Sequence, residues 1–163
     1  MPRAMGETTI TISALDRLID LEPENRVENP LSRTQSVRLL KSAVRRDLEW
    51  LLNTRQIAFM PPEGLRELNR SAYVYGLPDF TSYNLGSTAA EAKITRQLQA
   101  TLKYFEPRLA KVRLIPLEPF VARTRTFRFR IEALLMMDPQ PEHVSFDTVL
   151  QLTTNQYEVQ NAG

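Results

Sequence analysis

Two carboxylates, Asp47 and Glu49, stand two residues apart among arginines in the stretch AVRRDLEWLLNTRQ, residues 43–56. Glycoside hydrolysis needs such a pair: one acid to protonate the leaving oxygen and one carboxylate to attack or to activate water, separated by roughly 5 to 9 Å. Asp79, Glu106 and Glu132 are further candidates on residue type alone. Arginines at 123, 125, 128 and 130 interleave with Phe127 and Phe129, which suggests a second chemistry, bases stacked on aromatic rings while guanidinium groups hold phosphates. Other chemistries lack their parts. There is no cysteine, and the single histidine, His143, sits beside prolines in DPQPEHVS, so thiol catalysis, disulfides and a histidine-rich metal site are excluded. No serine is flanked as in G-x-S-x-G, and the five glycines form no phosphate loop. No cofactor and no metal are expected.

The elements that must position these residues decide between the readings. A long helix is predicted from Ser32 to about Asn53: SRTQ fits a capping box, and Val37, Leu40, Val44, Leu48, Leu51 and Leu52 fall within an arc of about 120° at 100° per residue. Asp47 lies at the border of that stripe, whereas Glu49 lies well away from it, beside Arg38 and Arg45. Residues two apart on a helix do not converge, so Asp47 and Glu49 fail as a catalytic pair. Arg45, one turn before Glu49, accounts for the glutamate as a surface ion pair.

Before this helix, ITISALDRLID offers a short amphipathic segment behind a Ser13 cap, followed by a Pro-, Asn- and Glu-rich linker. After it, PPEGLRELNRSAYVYG reads as a shorter helix with Leu65, Leu68 and Ala72 inward and Gly76 as its left-handed stop. A third helix opens with a capping box at Thr88 and Glu91, carries Ile94, Leu98, Leu102 and Phe105 inward, and ends at Pro107. There Glu106 reads either as an exposed glutamate at a helix stop or as part of a rigid knuckle that offers a carboxylate and a guanidinium fork to a partner.

Beyond Pro107 the apolar period shortens to two, the mark of strands. KVRLIPLEPF is a proline-interrupted edge or bulged strand. In RTRTFRFRIEALLMM, Phe127, Phe129, Ile131, Ala133 and Leu135 face one way and Arg128, Arg130 and Glu132 the other. The rings and guanidinium groups therefore point to opposite faces, which argues against nucleic acid as a partner. VSFDTVLQLTT follows with Val144, Phe146, Leu150 and Leu152 on one face. The predicted fold is α+β, N-terminal helices packed on a C-terminal antiparallel meander of about three strands. An arm over residues 1–31, one domain over 32–154 and a loose tail over 155–163 complete the expected organisation.

With 163 residues, 42% hydrophobic and 25% charged, the chain has the composition of one ordinary globular domain. Its longest apolar run, Ala133–Met137, falls far short of the roughly 20 residues that span a bilayer. The N-terminal stretch lacks the apolar core of a signal peptide, so a cytoplasmic protein is expected. The net charge of +2 is unevenly spread: residues 93–130 hold ten basic and two acidic side chains, and residues 131–163 hold five acidic and no Lys or Arg. Such blocks make local fields that attract a partner of opposite sign.

Five stretches in order, SALDRLID, AVRRDLEWLLNTR, SAYVYGLPDF, FEPRL and FRFRIEALL, together resemble the TssE family of type VI secretion baseplates, and with it the phage baseplate wedge protein from which contractile sheaths start. The resemblance implies a structural role without catalysis, in contact with the other wedge subunits (TssF, TssG and TssK) and with the sheath subunits (TssB and TssC), in a cytoplasmic baseplate docked at the inner membrane. Carried over by position, Glu106, Pro107 and Arg108 match the family's Glu-Pro-Arg signature, implying contact with the wedge core. The strand bearing Arg125, Phe127, Phe129 and Ile131 would offer an edge to the sheath. The family's "lysozyme-like" label points to the alternative, a peptidoglycan glycan hydrolase.

Overall fold

The computed structural model describes residues 10, 13–19, 24, 32–80, 88–118, 126–151, 154 and 156–161. Helix α1 (Ala14–Leu18) is capped by Ser13, whose hydroxyl accepts from the Asp16 N–H at 3.1 Å. Helix α2 (Arg33–Asn53) begins with the expected capping box: the Ser32 hydroxyl accepts from the Gln35 N–H, and Gln35 Oε1 accepts from the Ser32 N–H at 2.9 Å. Its stripe of Leu40, Val44, Leu48, Leu51 and Leu52 is buried. Helix α3 (Thr88–Phe105) buries Ile94, Leu98 and Leu102. Thr88 is its first helical residue rather than its cap, and the residue before it lies outside the described segments.

The helix expected over 61–76 does not form. Two short 3₁₀ turns, Leu68–Arg70 and Ala72–Val74, stand in its place. Leu65 and Leu68 are exposed, and a short helix without a buried face is only marginally stable. The Asn69 amide instead bonds the carbonyls of Pro62 and Leu65. Gly76 does adopt a left-handed conformation, with φ of 107°. A Cβ there would lie 2.4 Å from the Thr54 carbonyl oxygen, because Arg55 and Leu77 form a parallel bridge at this point.

The sheet is an antiparallel meander in the order β1 (Leu109–Pro116), β2 (Thr126–Leu135), β3 (Glu142–Gln151), β4 (Gln156–Asn161). It has four strands rather than about three, since the stretch read as a tail supplies β4. Only Tyr157 and Val159 point inward there, too few apolar residues to stand out. Helices and sheet enclose one core, in which Phe127, Phe129, Ile131, Ala133 and Leu135 of β2 and Val144, Phe146 and Leu150 of β3 meet the stripes of α2 and α3. The fold is α+β, and among the described residues the helices pack on one face of the sheet.

Candidate interaction site

Helix α3 ends where the Glu106 N–H donates to the Leu102 carbonyl, and Pro107 cannot continue the ladder. The chain turns at once into β1, and the Arg108 carbonyl accepts from the Met136 N–H at 2.8 Å. This turn leaves Glu106 only 4% exposed at a helix C-terminus, a place where both burial and the helix dipole disfavour an anion. Arg108 compensates. Its Nε donates to Glu106 Oε1 at 2.6 Å and its Nη2 to Glu106 Oε2, the fork geometry that suits a carboxylate.

The same Nη2 also donates to Asp47 Oδ2 at 2.7 Å, so α2 is tied to the α3–β1 turn. Asp47 Oδ1 accepts from Arg46 Nη2 at 2.9 Å, and Arg46 Nη1 pairs with Asp16 of α1 at 2.7 Å. Five charged groups thus form one chain across three elements, Glu106, Arg108, Asp47, Arg46 and Asp16. The hydrogen bonds it donates to Glu106 and then to Asp47 hold the Arg108 guanidinium above its ordinary pKa despite partial desolvation. The Ser13 hydroxyl, followed by Arg46, holds the Asp16 carboxyl below its ordinary value. Burial, with the charges of Asp47 and Glu106, raises the Tyr75 hydroxyl; the Tyr75 ring packs edge-on against Phe105 at 5.2 Å. The outer rim stays partly exposed: Arg46 lies 5.3 Å over the ring of Trp50, which is 57% exposed.

Asp47 and Glu106 therefore stand close together, which neither spacing nor periodicity indicated. A guanidinium occupies the space between them, where a hydrolase would need room for a sugar and a water. Glu49 pairs with Arg45 at 3.6 Å on the surface, as the helical spacing requires. The Glu106 carboxylate is not the exposed group of a plain helix stop: it is buried and bonded by Arg108. Among the described residues no cluster of three acidic or histidine side chains is placed to hold a metal, and no helix is long and apolar enough to cross a membrane.

The strand residues proposed from sequence sit elsewhere than expected. Phe127, Phe129 and Ile131 are at most 2% exposed and lie on β2, which pairs with β1 on one side and β3 on the other. They belong to the core and not to an edge; Arg125 lies outside the described residues. On the face of the sheet away from the core, Arg130 pairs with Asp147 of β3, Nε to Oδ1 at 2.6 Å.

Among the described strands the outer two are β1 and β4, and their edges differ. Along β4 the outward backbone is occupied by α2: the Asn53 amide accepts from the Tyr157 N–H at 2.8 Å and donates to the Tyr157 carbonyl at 2.9 Å, while Arg45 donates to the Val159 carbonyl at 3.2 Å. A side-chain amide thereby stands in for a neighbouring strand. On β1, Lys111 and Val112 together face Ala133 in a bulge, with Lys111 at φ 52°, and Gln99 of α3 donates to the Val112 carbonyl at 2.7 Å. Sequence reasoning missed Arg46, Asp16, Asn53 and Gln99, whose partners are too distant in the chain for spacing to register.

Comparison with known proteins adds two findings. The family model described as baseplate wedge protein gp25 matches residues 38–140, which take in Arg46, Asp47, Tyr75, Glu106, Arg108, β1 and β2. No curated protein matches the chain.

Proposed function

The chain belongs to the family of the baseplate wedge protein gp25, and from that membership we propose that it is a wedge component of a type VI secretion baseplate. In this reading it works in the cytoplasm, in a baseplate docked at the inner membrane. It docks on the other wedge subunits (TssF, TssG and TssK) and begins the polymerisation of the sheath (TssB and TssC). The family match carries the structural role. The guanidinium that fills the gap between Asp47 and Glu106 supports a non-catalytic reading, since it leaves no place for a glycan.

Glu106, Pro107 and Arg108 then serve the wedge contact indirectly, by fixing the turn behind a rim of Arg46, Asp47 and Trp50. The rim is what a partner meets. The sheath contact moves from β2 to an edge of the sheet. A tagged chain recovered from its own cell lysate, with bound proteins identified by mass spectrometry, tests this: wedge and sheath subunits are expected, and Trp50→Ala should reduce the wedge subunits without lowering the melting temperature. Recovery of neither, together with turnover of purified peptidoglycan that Glu106→Gln abolishes, would favour the hydrolase.

A further inference from the structure

We propose that the chain on its own forms a symmetric dimer through the loop over residues 57–73, with a second copy as the partner. The inference goes beyond the baseplate reading and does not depend on it. The loop has a pinned base: Arg55 and Leu77 form a parallel bridge, and the Gln56 side-chain amide donates to the Val74 carbonyl at 3.0 Å. Within it the Asn69 amide holds the carbonyls of Pro62 and Leu65, and the Tyr104 hydroxyl of α3 donates to the Arg70 carbonyl at 3.1 Å. A loop braced in this way has little freedom left to lose on contact. Its apolar side chains nevertheless face water. Phe59 is 83% exposed, and Met60 and Leu65 are more than half exposed. Large apolar groups gathered this closely are a contact surface, not scattered single exposures.

The order of charges identifies the occupant. Glu63, Arg66, Glu67 and Arg70 are exposed on the same loop, and among the described residues none of them is in an ion pair. Two carboxylates and two guanidinium groups cancel, so the strip as a whole favours neither an acidic nor a basic partner. It does match itself. In a two-fold contact residue i of one copy meets j of the other while j meets i. Two such strips laid antiparallel set Glu63 against Arg70 and Arg66 against Glu67, so every charge meets its opposite; laid parallel, they set like against like. Arg55, at the neck of the loop, lies outside the strip. Exposed ion pairs add little affinity but fix orientation, and the attraction comes from Phe59, Met60 and Leu65. Pro61 and Pro62 have no N–H to offer, so side chains and not a shared strand make the contact. A closed two-fold contact stops at two copies.

Sedimentation velocity of the full chain, at concentrations up to about 200 µM, should show monomer passing into dimer with no larger species. Phe59→Asp, at a side chain too exposed to matter for folding, should raise the dissociation constant at least about tenfold at an unchanged melting temperature. Charge reversal is the sharper test. Arg66→Glu combined with Arg70→Glu, and separately Glu63→Arg combined with Glu67→Arg, give the strip a single sign and should each weaken self-association at least about tenfold. An equimolar mixture of the two variants should recover dimers that hold one copy of each, read by native mass spectrometry. A chain that stays monomeric throughout, association that survives Phe59→Asp, or charge variants that associate as well alone as mixed would overturn the proposal. A monomeric chain whose Phe59→Asp variant recovers fewer wedge subunits from lysate would assign the loop to a wedge partner instead. Dimers from a chain that recovers no wedge or sheath subunit would count against the baseplate reading alone.

Discussion

Glu106 and Arg108 show what a single side chain decides here. A carboxylate that is 4% exposed at a helix C-terminus is tolerated because a guanidinium brackets it. Breaking a buried pair by removing one partner typically costs about 3 to 5 kcal/mol, since an uncompensated charge remains. Arg108 is partly exposed, so Arg108→Ala is expected toward the lower end, about 3 kcal/mol, by urea denaturation. Arg108→Glu should be worse, because three carboxylates would share the turn. A stability within about 1 kcal/mol of the parent would mean that the bridge contributes little. Sequence reading singled out Glu106, Pro107 and Arg108 but not the use made of them. Arg108 and Asp47 are 61 residues apart, and nothing in residue spacing indicates that a fold brings such positions together.

At the scale of elements, legibility follows the strength of the period. Helix α2 was readable from its capping box to its last leucine, because a long stripe and a complete cap agree. The 61–76 segment was misread because its prolines and leucines imitate a helix start and stripe, while the fold supplies no surface against which to bury them. Strand β4 was missed for the opposite reason, two inward residues in a polar stretch. Gly76 was identified correctly as left-handed. Gly76→Ala is expected to cost about 3 kcal/mol, combining left-handed strain with the approach to Thr54, as read from a lowered denaturation midpoint. Helix α1 makes a separate prediction. The Asp16 carboxyl titrates below its usual value of 3.8 when folded, through Ser13 and then Arg46. A depressed folded-state pKa stabilises above the unfolded value and the contribution is lost as pH falls through the folded one. The protection of the amides over Ala14–Leu18, that is their exchange relative to the intrinsic rate at each pH, should therefore be constant down to about pH 5 and fall below about pH 4, with Asp16→Asn less protected at every pH above that. Equal exchange in both proteins at neutral pH would show that other contacts hold the arm.

Considered whole, the molecule has four of its five signature stretches meeting at one charged cluster, with Ser13 and Asp16, Arg46 and Asp47, Tyr75, and Phe105 to Arg108 each drawn from a different one. The fifth, on β2, forms the centre of the sheet beside it. The sequence order was enough to name the family; the convergence belongs to the fold. Asn53 joins the chain's first half to its last strand through two bonds to one residue. Asn53→Ala should cost about 1 to 2 kcal/mol, because one side chain serves two backbone groups, and should speed exchange of the Tyr157 amide more than that of any residue in β2. Uniform acceleration across the sheet would mean global destabilisation and not release of this edge.

The Asn53 contact also bears on what one copy does to the next. The sheet ends on one side at β1, which carries Lys111 and Arg113, and on the other at β4 (Gln156–Asn161), whose one charged side chain is Glu158. Two unlike edges that match each other form a head-to-tail contact, and a head-to-tail contact whose rotation does not close grows into an open fibre. Asn53 and Arg45, standing where the next strand would lie, keep each subunit from serving as the template for another.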